Sequence, residues 1–122
     1  MSYDISLHKN IQHIKAGYED YDAAERADLY INSELNITFN LVHMFNWAFE
    51  TEYWVDVVEG FKAKVVAIKL TDAIERLKKY KTEAEKYNAP NGWGTYPYAL
   101  EFLIKFRQEC YNNESYFIAV DR

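Results

Sequence analysis

The wide separation of three strand-like segments is the feature that most constrains the fold of this chain. Residues 3–7 alternate large apolar with polar side chains, residues 35–41 repeat that alternation, and residues 116–120 form a short apolar run. Alternation with a period of two is typical of a strand that buries one face. Because helical patterns fill the stretches between these segments, the sequence predicts an α+β fold. Its small antiparallel or mixed sheet contains the N-terminal, central and C-terminal strands, with the two terminal strands paired, and is covered by three to four helices.

The helical patterns differ in how clearly their ends are marked. Residues 19–30 have a helical composition but a weak apolar face, and residues 42–49 predict a mostly buried helix with His43 as a packed core residue. A short helix over residues 53–61 is predicted to end at Gly60. Thr71 has the features of an N-cap, with acidic residues after it and lysines further on. The helix that it begins is predicted to bury Ile74, Leu77, Tyr80, Ala84 and Tyr87.

Two segments flank that helix. Residues 65–68 fit either a brief extended piece or the end of a bent helix, because periodicity cannot separate the two over four residues. Residues 88–92 are rich in helix breakers, and Pro97 is tolerated in the first turn of a final helix, which ends at residues 112–113. The inner face of this final helix is predicted to contain Ala99, Leu100, Leu103, Ile104, Phe106 and Cys110.

Length and composition favour one folded unit. The chain has 122 residues, 49% of them hydrophobic, with only four Gly and two Pro, which predicts a single α+β domain over residues 1–122. No apolar run is long enough to span a bilayer, and the start of the sequence lacks the pattern of a signal peptide. A lone cysteine, Cys110, cannot form an internal disulfide. We therefore expect a cytoplasmic protein that does not bind a membrane.

Charge is unevenly distributed along the chain. Residues 18–59 contain ten acidic residues against one arginine, a net charge of −9, and residues 62–86 contain eight basic against four acidic residues, a net charge of +4. An acidic segment repels phosphate backbones, so direct binding to nucleic acid is not expected. The acidic stretch is interpreted either as a solvated face that keeps the protein soluble or as a surface that docks on a host protein by occupying a basic channel.

Two polar segments form the candidate ligand-binding site. In the segment 91–96, two glycines flank Trp93 and allow backbone conformations that other residues resist. In the central strand, polar residues that are unusual in strands alternate with the apolar ones. The predicted site has Asn36, Thr38 and Asn40 as a polar floor, with Trp93 or Tyr96 stacking on a small planar ligand such as a nucleotide, and it also includes Asn91. In the alternative interpretation, the asparagines hold neighbouring loops and Trp93 packs on the core to anchor the last helix.

The three motifs at residues 3–7, 35–40 and 91–96 resemble those of a family of small uncharacterised proteins from bacteria and their phages. The resemblance implies a compact single domain carried by mobile elements, without catalytic residues that could be transferred. Phe39 occupies the position where the family has Tyr. Some members carry Cys pairs after the first strand that could bind zinc, and because residues 8–33 contain no cysteine, no metal is expected.

The predicted function is that of a small non-catalytic binding protein. The sequence contains no nucleophile elbow, phosphate-binding loop, metalloprotease motif or dinucleotide fingerprint, so we assign no catalytic residue and no cofactor. Together with the resemblance, this predicts a phage or mobile-element protein that acts against host defence by binding a nucleotide-like ligand or a host protein. The alternatives are a structural homo-oligomer or virion-associated protein, in which the aromatic surface is a subunit interface, and an enzyme of unknown class.

Overall fold

The computed structural model describes residues 1–9 and 30–122, and within them three strands form one antiparallel sheet. Strand β1 (Ser2–His8) lies in the middle, with β2 (Tyr30–Thr38) on one side and β3 (Phe117–Asp121) on the other. Both neighbours run antiparallel to β1. The structure therefore confirms the α+β fold and the pairing of the N-terminal with the C-terminal strand.

Alternate residues of the sheet enter the hydrophobic core. In β1 these are Tyr3, Ile5 and Leu7, and the neighbouring strands contribute Ile37 and Ile118. The period of two that predicted β1 from the sequence thus corresponds to one face that packs inward.

Four α-helices lie in the described residues and supply the rest of the core. They are α1 (Val42–Ala48), α2 (Ala63–Lys79), α3 (Lys81–Glu85) and α4 (Tyr96–Asn112). Helices α2 and α4 pack against each other, and α4 also contacts β2 while α2 contacts β3. None of these helices combines the length and apolar character needed to cross a membrane. The predicted inner face of α4 is correct except at Ile104, which is 38% exposed.

The predicted central strand is partly wrong at both ends. Residues 39–41 form a 3₁₀ helix (Phe39–Leu41) rather than a continuation of β2, and β2 begins at Tyr30, which was predicted to end a helix. The remainder of that predicted helix, residues 19–29, lies outside the described residues. The pairing of β1 with β2 shifts register because Ile5 pairs with Leu35 and Ser6 with Asn32. The two extra residues between Asn32 and Leu35 form a bulge that interrupts the alternation on which a sequence-based prediction depends.

The predicted start of the best-marked helix is also wrong. Helix α2 begins at Ala63, and Thr71 lies in its interior, where its hydroxyl donates to the Ala67 carbonyl at 3.0 Å. Residues 65–68 are accordingly helical rather than extended. The predicted helix is interrupted at Tyr80, whose backbone leaves the helical region with φ −115° and ψ 46°, before the short α3 begins.

Between α1 and α2 the predicted helix over residues 53–61 is shorter and tighter than expected. Only a 3₁₀ helix (Trp54–Val57) forms, and Gly60 ends the segment with a φ of +83°. Trp54 is fully buried and its ring contacts those of Tyr3 and Phe45 edge-on. This aromatic cluster joins β1 to the first helices.

Candidate functional site

The Trp93 loop, residues 88–95, is fixed by its own hydrogen bonds. The Ala89 amide donates to the Gly94 carbonyl at 2.8 Å, and the Gly92 amide donates to the Ala89 carbonyl at 3.0 Å. The Asn91 side-chain oxygen accepts from the Trp93 amide at 2.9 Å, as in a turn stabilised by an asparagine side chain. The loop therefore presents its tryptophan from a defined backbone.

Two contacts dock the Trp93 loop on the 3₁₀ helix Phe39–Leu41. The side-chain amide of Asn40 donates to the Trp93 carbonyl at 3.0 Å. Gly94 has a φ of +146°, and a Cβ atom at this position would lie 3.2 Å from Leu41 Cγ and 3.3 Å from Asn40 Cβ. A glycine is thus favoured both by the backbone conformation and by the close approach.

The three aromatic residues near the loop differ in exposure. The Trp93 side chain is 74% exposed, so the alternative in which it packs on the core and anchors the last helix is wrong. Tyr96 is only 6% exposed, and its amide donates to Asn88 Oδ1 at 2.8 Å. Tyr96 therefore packs in the core and is not available to stack on a ligand. Tyr98, which the sequence analysis did not select, is 51% exposed.

A cavity of about 330 Å³ lies beside the loop. It is lined by Thr38, Gly92, Trp93, Gly94, Thr95 and Tyr98. Of the predicted site residues, Thr38 and Trp93 share this cavity, whereas Asn40 and Asn91 hold the loop in place from outside it. Thr38 also accepts a hydrogen bond from the Asn40 amide at 3.2 Å and so begins the 3₁₀ helix. We call this concavity the Trp93 cavity.

Asn36 lies in a second cavity of about 300 Å³. Its walls are formed by Glu34, Leu35, Asn36, Tyr98, Glu101, Phe102 and Lys105, so Tyr98 belongs to both cavities. The Asn36 side-chain amide donates to Ser2 Oγ at 2.8 Å and to Asp4 Oδ1 at 2.6 Å on the neighbouring strand. The side chains of the predicted polar floor thus mostly form hydrogen bonds within the protein. This favours the alternative interpretation, in which the asparagines hold parts of the protein in place.

A larger concavity of about 510 Å³ lies between α1 and α2, and two basic side chains that line it hold neighbouring elements together. Lys69 Nζ donates to the Val57 carbonyl at 2.8 Å and lies 3.6 Å from the centre of the Phe61 ring. Arg76 Nε donates to the Trp47 carbonyl at 3.1 Å. Both side chains satisfy carbonyls at the C-terminal ends of preceding helices, where cations are favoured. These two basic residues of the concavity are therefore explained by contacts between elements of the fold.

Part of the acidic stretch is neutralised by ion pairs. Among the described residues of 18–59, Glu50 lies 2.9 Å from Arg76, and Glu59 lies 3.4 Å from Arg122. Glu52 remains exposed. His43, which was predicted to be a core residue, is exposed on the surface of α1. Docking of the acidic stretch on a host protein stays a prediction.

Among the described residues, the two titratable groups whose pKa is raised to about 12 do not line the Trp93 cavity. Burial, together with the charge of Glu109, raises the pKa of the Cys110 thiol to about 12. Burial and the neighbouring Tyr53 hydroxyl raise the pKa of Tyr3 to about 12. In the part of the chain that the structure describes, no three His, Cys, Asp or Glu side chains are grouped as they would be to hold a metal ion.

Comparisons of the chain with models of protein families, with curated proteins and with solved structures find no match. The function is therefore inferred from the geometry of the Trp93 cavity and its neighbour. The resemblance noted from the three sequence motifs stays a prediction.

Proposed function

We propose that this chain is a non-catalytic binding protein that holds a small planar ligand against Trp93 and Tyr98. The observation that carries the proposal is an indole that is 74% exposed on a loop whose backbone is held by several hydrogen bonds. Covering a large apolar ring with a ligand removes apolar surface from water, which favours binding. A fixed loop reduces the entropy that is lost when the ligand binds.

The dimensions and chemistry of the Trp93 cavity support this function. Its volume of about 330 Å³ lies at the lower end of the range for small-molecule sites. Two aromatic side chains supply stacking surface, and the hydroxyls of Thr38 and Thr95 supply polar groups that can orient a ligand. Gly92 and Gly94 permit close approach to the backbone. Among the residues that the structure describes, neither His nor Cys lines this cavity, which favours binding over acid–base or nucleophilic catalysis.

In a phage or mobile-element setting, such a protein would act against host defence by sequestering a small signal molecule. The test is native mass spectrometry of the gently purified protein, read for a bound adduct of a few hundred daltons, followed by the Trp93→Ala variant. We expect the adduct to disappear from Trp93→Ala and to persist in Tyr111→Ala, which removes a 47% exposed aromatic ring from the far end of α4. An adduct retained equally by both variants would contradict the proposal.

A second candidate function is self-association through the same aromatic rings. Trp93 and Tyr98 are both exposed and line the same cavity, and Trp and Tyr are enriched among the residues that dominate protein interfaces. The measurement is the mass in solution over a dilution series. A dimer that is stable at low concentration and is lost in Trp93→Ala would favour a subunit interface over an open ligand site.

A further inference from the structure

The two outer edges of the sheet differ in how their backbone groups are bonded. On β3, the Gly60 amide donates to the Ile118 carbonyl at 2.8 Å, and the Ile118 amide donates to the Phe61 carbonyl at 3.0 Å. The Val120 amide donates to the Glu59 carboxylate at 3.1 Å. The segment that precedes α2 therefore covers this edge, which would otherwise be able to pair with another chain.

On β2, the backbone groups that face outwards belong to Asn36 and Thr38. The Phe39 amide donates to the Met1 carbonyl at 3.3 Å, one position beyond the last pair between β1 and β2. Hydrogen-bonded and non-hydrogen-bonded pairs alternate along an antiparallel ladder. The backbone of Ile37 therefore bonds to β1, whereas that of Asn36 and of Thr38 faces away from it.

Three of these outward groups have no partner among the described residues. The Thr38 carbonyl is used, because Thr38 is the N-cap of the 3₁₀ helix and an N-cap carbonyl accepts the first helical bond. The Thr38 amide and both backbone groups of Asn36 are left, and in the part of the chain that the structure describes nothing bonds to them. Asn36 is exposed. The outer edge of β2 can therefore accept an extended chain.

The second cavity, which contains Asn36, runs along this edge. The side chains of Leu35 and Asn36 point to opposite faces of β2, so a cavity that both residues line lies at the edge of the strand. Tyr98 and Phe102 of α4 form the other wall. Because Tyr98 also lines the Trp93 cavity, the two cavities adjoin at this ring. The unpaired edge thus lies beside a concave aromatic surface.

We propose that the outer edge of β2 binds an extended peptide segment of another protein by strand addition. A peptide is the fitting partner because its amides and carbonyls have the spacing of a strand. In an antiparallel arrangement, the peptide residue opposite Asn36 exchanges two hydrogen bonds with it, and the Thr38 amide donates to a carbonyl two residues away along the peptide. This inference goes beyond the small-ligand site proposed above and does not depend on it.

The side chain that points towards α4 selects the peptide. A peptide residue opposite Ile37 shares the face of Ile37, which is the face that packs on the core. Helix α4 lies on that face, and its Tyr98 is 51% exposed. We therefore expect an aromatic residue at that position of the peptide, where it contacts the Tyr98 ring.

A second copy of the chain fits this edge less well than a separate peptide. If β2 paired with its own copy symmetrically about Asn36, residue 34 of one copy would lie opposite Thr38 of the other. The Thr38 carbonyl is already used, and Glu34 has a left-handed backbone with a φ of 60°. The ladder would end after the two bonds between the Asn36 residues. A flexible peptide can use all three outward groups.

The probe that tests this inference is the blocked peptide Glu-Thr-Val-Phe-Val-Thr-Lys. Its net charge is zero, so charge does not attract it to the acidic protein. Binding is followed in a nitrogen-edited NMR spectrum. We expect the amide resonances of Asn36 and Thr38 to shift, and their hydrogen exchange to slow at least about tenfold at saturation, because new hydrogen bonds protect them.

Methylated forms of the same peptide test the hydrogen bonds on wild-type protein. With the phenylalanine opposite Ile37, the valine amides face β2 and the phenylalanine amide faces away. N-methylation of both valines should weaken binding at least about tenfold, because it removes a donor and adds bulk at the paired edge. N-methylation of the phenylalanine alone is the matched control and should weaken binding much less.

A pair of protein variants tests the same bonds from the other side. Asn36→Pro removes the outward amide, and proline is tolerated in an edge strand where the amide faces away from the sheet. Asn36→Ala loses the same side-chain hydrogen bonds to Ser2 and Asp4 but keeps the amide. We expect the peptide to bind Asn36→Pro at least about fivefold more weakly than Asn36→Ala. If Asn36→Pro does not fold, the methylated peptides decide.

Three outcomes would overturn the inference. The first is unchanged exchange of the Asn36 and Thr38 amides at millimolar peptide, and the second is equal affinity for the peptide and its doubly methylated form. The third is a dimer of the free protein that Asn36→Pro converts to a monomer, because a second copy would then occupy the edge. Adduct binding at Trp93 is measured separately by mass spectrometry, so this inference and the proposed function can fail independently.

Discussion

Gly94 is the residue on which the geometry of the Trp93 loop most depends. We expect Gly94→Ala to lower the free energy of unfolding by about 2 kcal/mol. The alanine must keep a positive φ, and its Cβ meets Leu41 and Asn40. Gly92 also has a positive φ, of +76°, but a Cβ there meets nothing within 4 Å. Urea unfolding of both variants is the measurement. Equal losses from Gly92→Ala and Gly94→Ala would show that the contact with the 3₁₀ helix contributes nothing.

Cys110 should make the protein less stable at alkaline pH. Burial raises the pKa of its thiol from 9.0 to about 12 in the folded protein. Between these values the unfolded chain releases a proton that the folded chain keeps, so stability is lost as the pH rises from about 9 towards 12. We expect the free energy of unfolding of the wild type to fall more steeply over pH 9–10.5 than that of Cys110→Ala, by up to ~1.4 kcal/mol per pH unit.

The slopes with pH, rather than the absolute stabilities, are the quantities to compare for Cys110→Ala. Removal of the buried sulfur also leaves a small cavity, which lowers stability at every pH. Tyr3, whose pKa is likewise raised to about 12, contributes a decline above pH 10 in both proteins. Parallel slopes for the two proteins would show that Cys110 does not cause the loss of stability at alkaline pH.

At the scale of single residues, the sequence could predict that a tryptophan loop exists but not which neighbouring ring faces the same cavity. Tyr96 and Tyr98 are two positions apart, and residues with that spacing point in different directions on a helix. The choice between them depends on how the helix N-terminus is oriented against the core. That orientation is set by the contact of Asn88 with the Tyr96 amide and by the contact of Asn40 with the loop, neither of which is encoded in local periodicity.

Helices α1 and α2 are joined by one arginine, and its contacts differ in their expected contributions. Arg76 donates to the Trp47 carbonyl, stacks 4.3 Å from the centre of the Trp47 ring and forms an ion pair with Glu50. We expect Arg76→Met to lower the free energy of unfolding by about 1–2 kcal/mol, because a half-buried carbonyl loses its charged donor.

The ion pair alone should matter little, since the Glu50 side chain is 68% exposed. We therefore expect Glu50→Gln to cost under about 0.5 kcal/mol in thermal or urea unfolding. A loss from Glu50→Gln as large as that from Arg76→Met would indicate that the ion pair, rather than the carbonyl contact and the stacking, joins the two helices.

Element boundaries were predicted well where the local signal agreed with the tertiary contacts. Strands β1 and β3, helix α1 and the start of α4 fall close to their predicted bounds. Helix α2 was predicted to start at Thr71 because a threonine followed by acidic residues has the features of an N-cap, yet packing against α4 extends the helix back to Ala63. The paired valines at 65 and 66 hid this extension, since β-branched residues favour strands.

At the scale of the whole molecule, the last strand belongs to the same core as the first. Ile118 is fully buried, whereas Ile68 on the outer surface of α2 is 64% exposed. We expect Ile118→Ala to lower the free energy of unfolding by about 2–4 kcal/mol and Ile68→Ala to change it by less than about 0.5 kcal/mol. Far-ultraviolet circular dichroism and tryptophan fluorescence, to which the buried Trp54 contributes, should report one common transition in each case.

Separate transitions by the two probes would show that the strands and helices do not unfold together. They would also contradict the prediction of a single domain over residues 1–122. Coincident transitions with an unchanged denaturant dependence would support it.

The order of the strands in the sheet affects how the chain folds during synthesis. Strand β1 is made before every other described element, yet one of its two neighbours, β3, is made after all the helices. Until β3 leaves the ribosome, one edge of β1 keeps its amides and carbonyls unpaired, and such an edge is a template for aggregation. A chain whose synthesis stops before residue 117 therefore carries an open sheet edge that chaperones must cover.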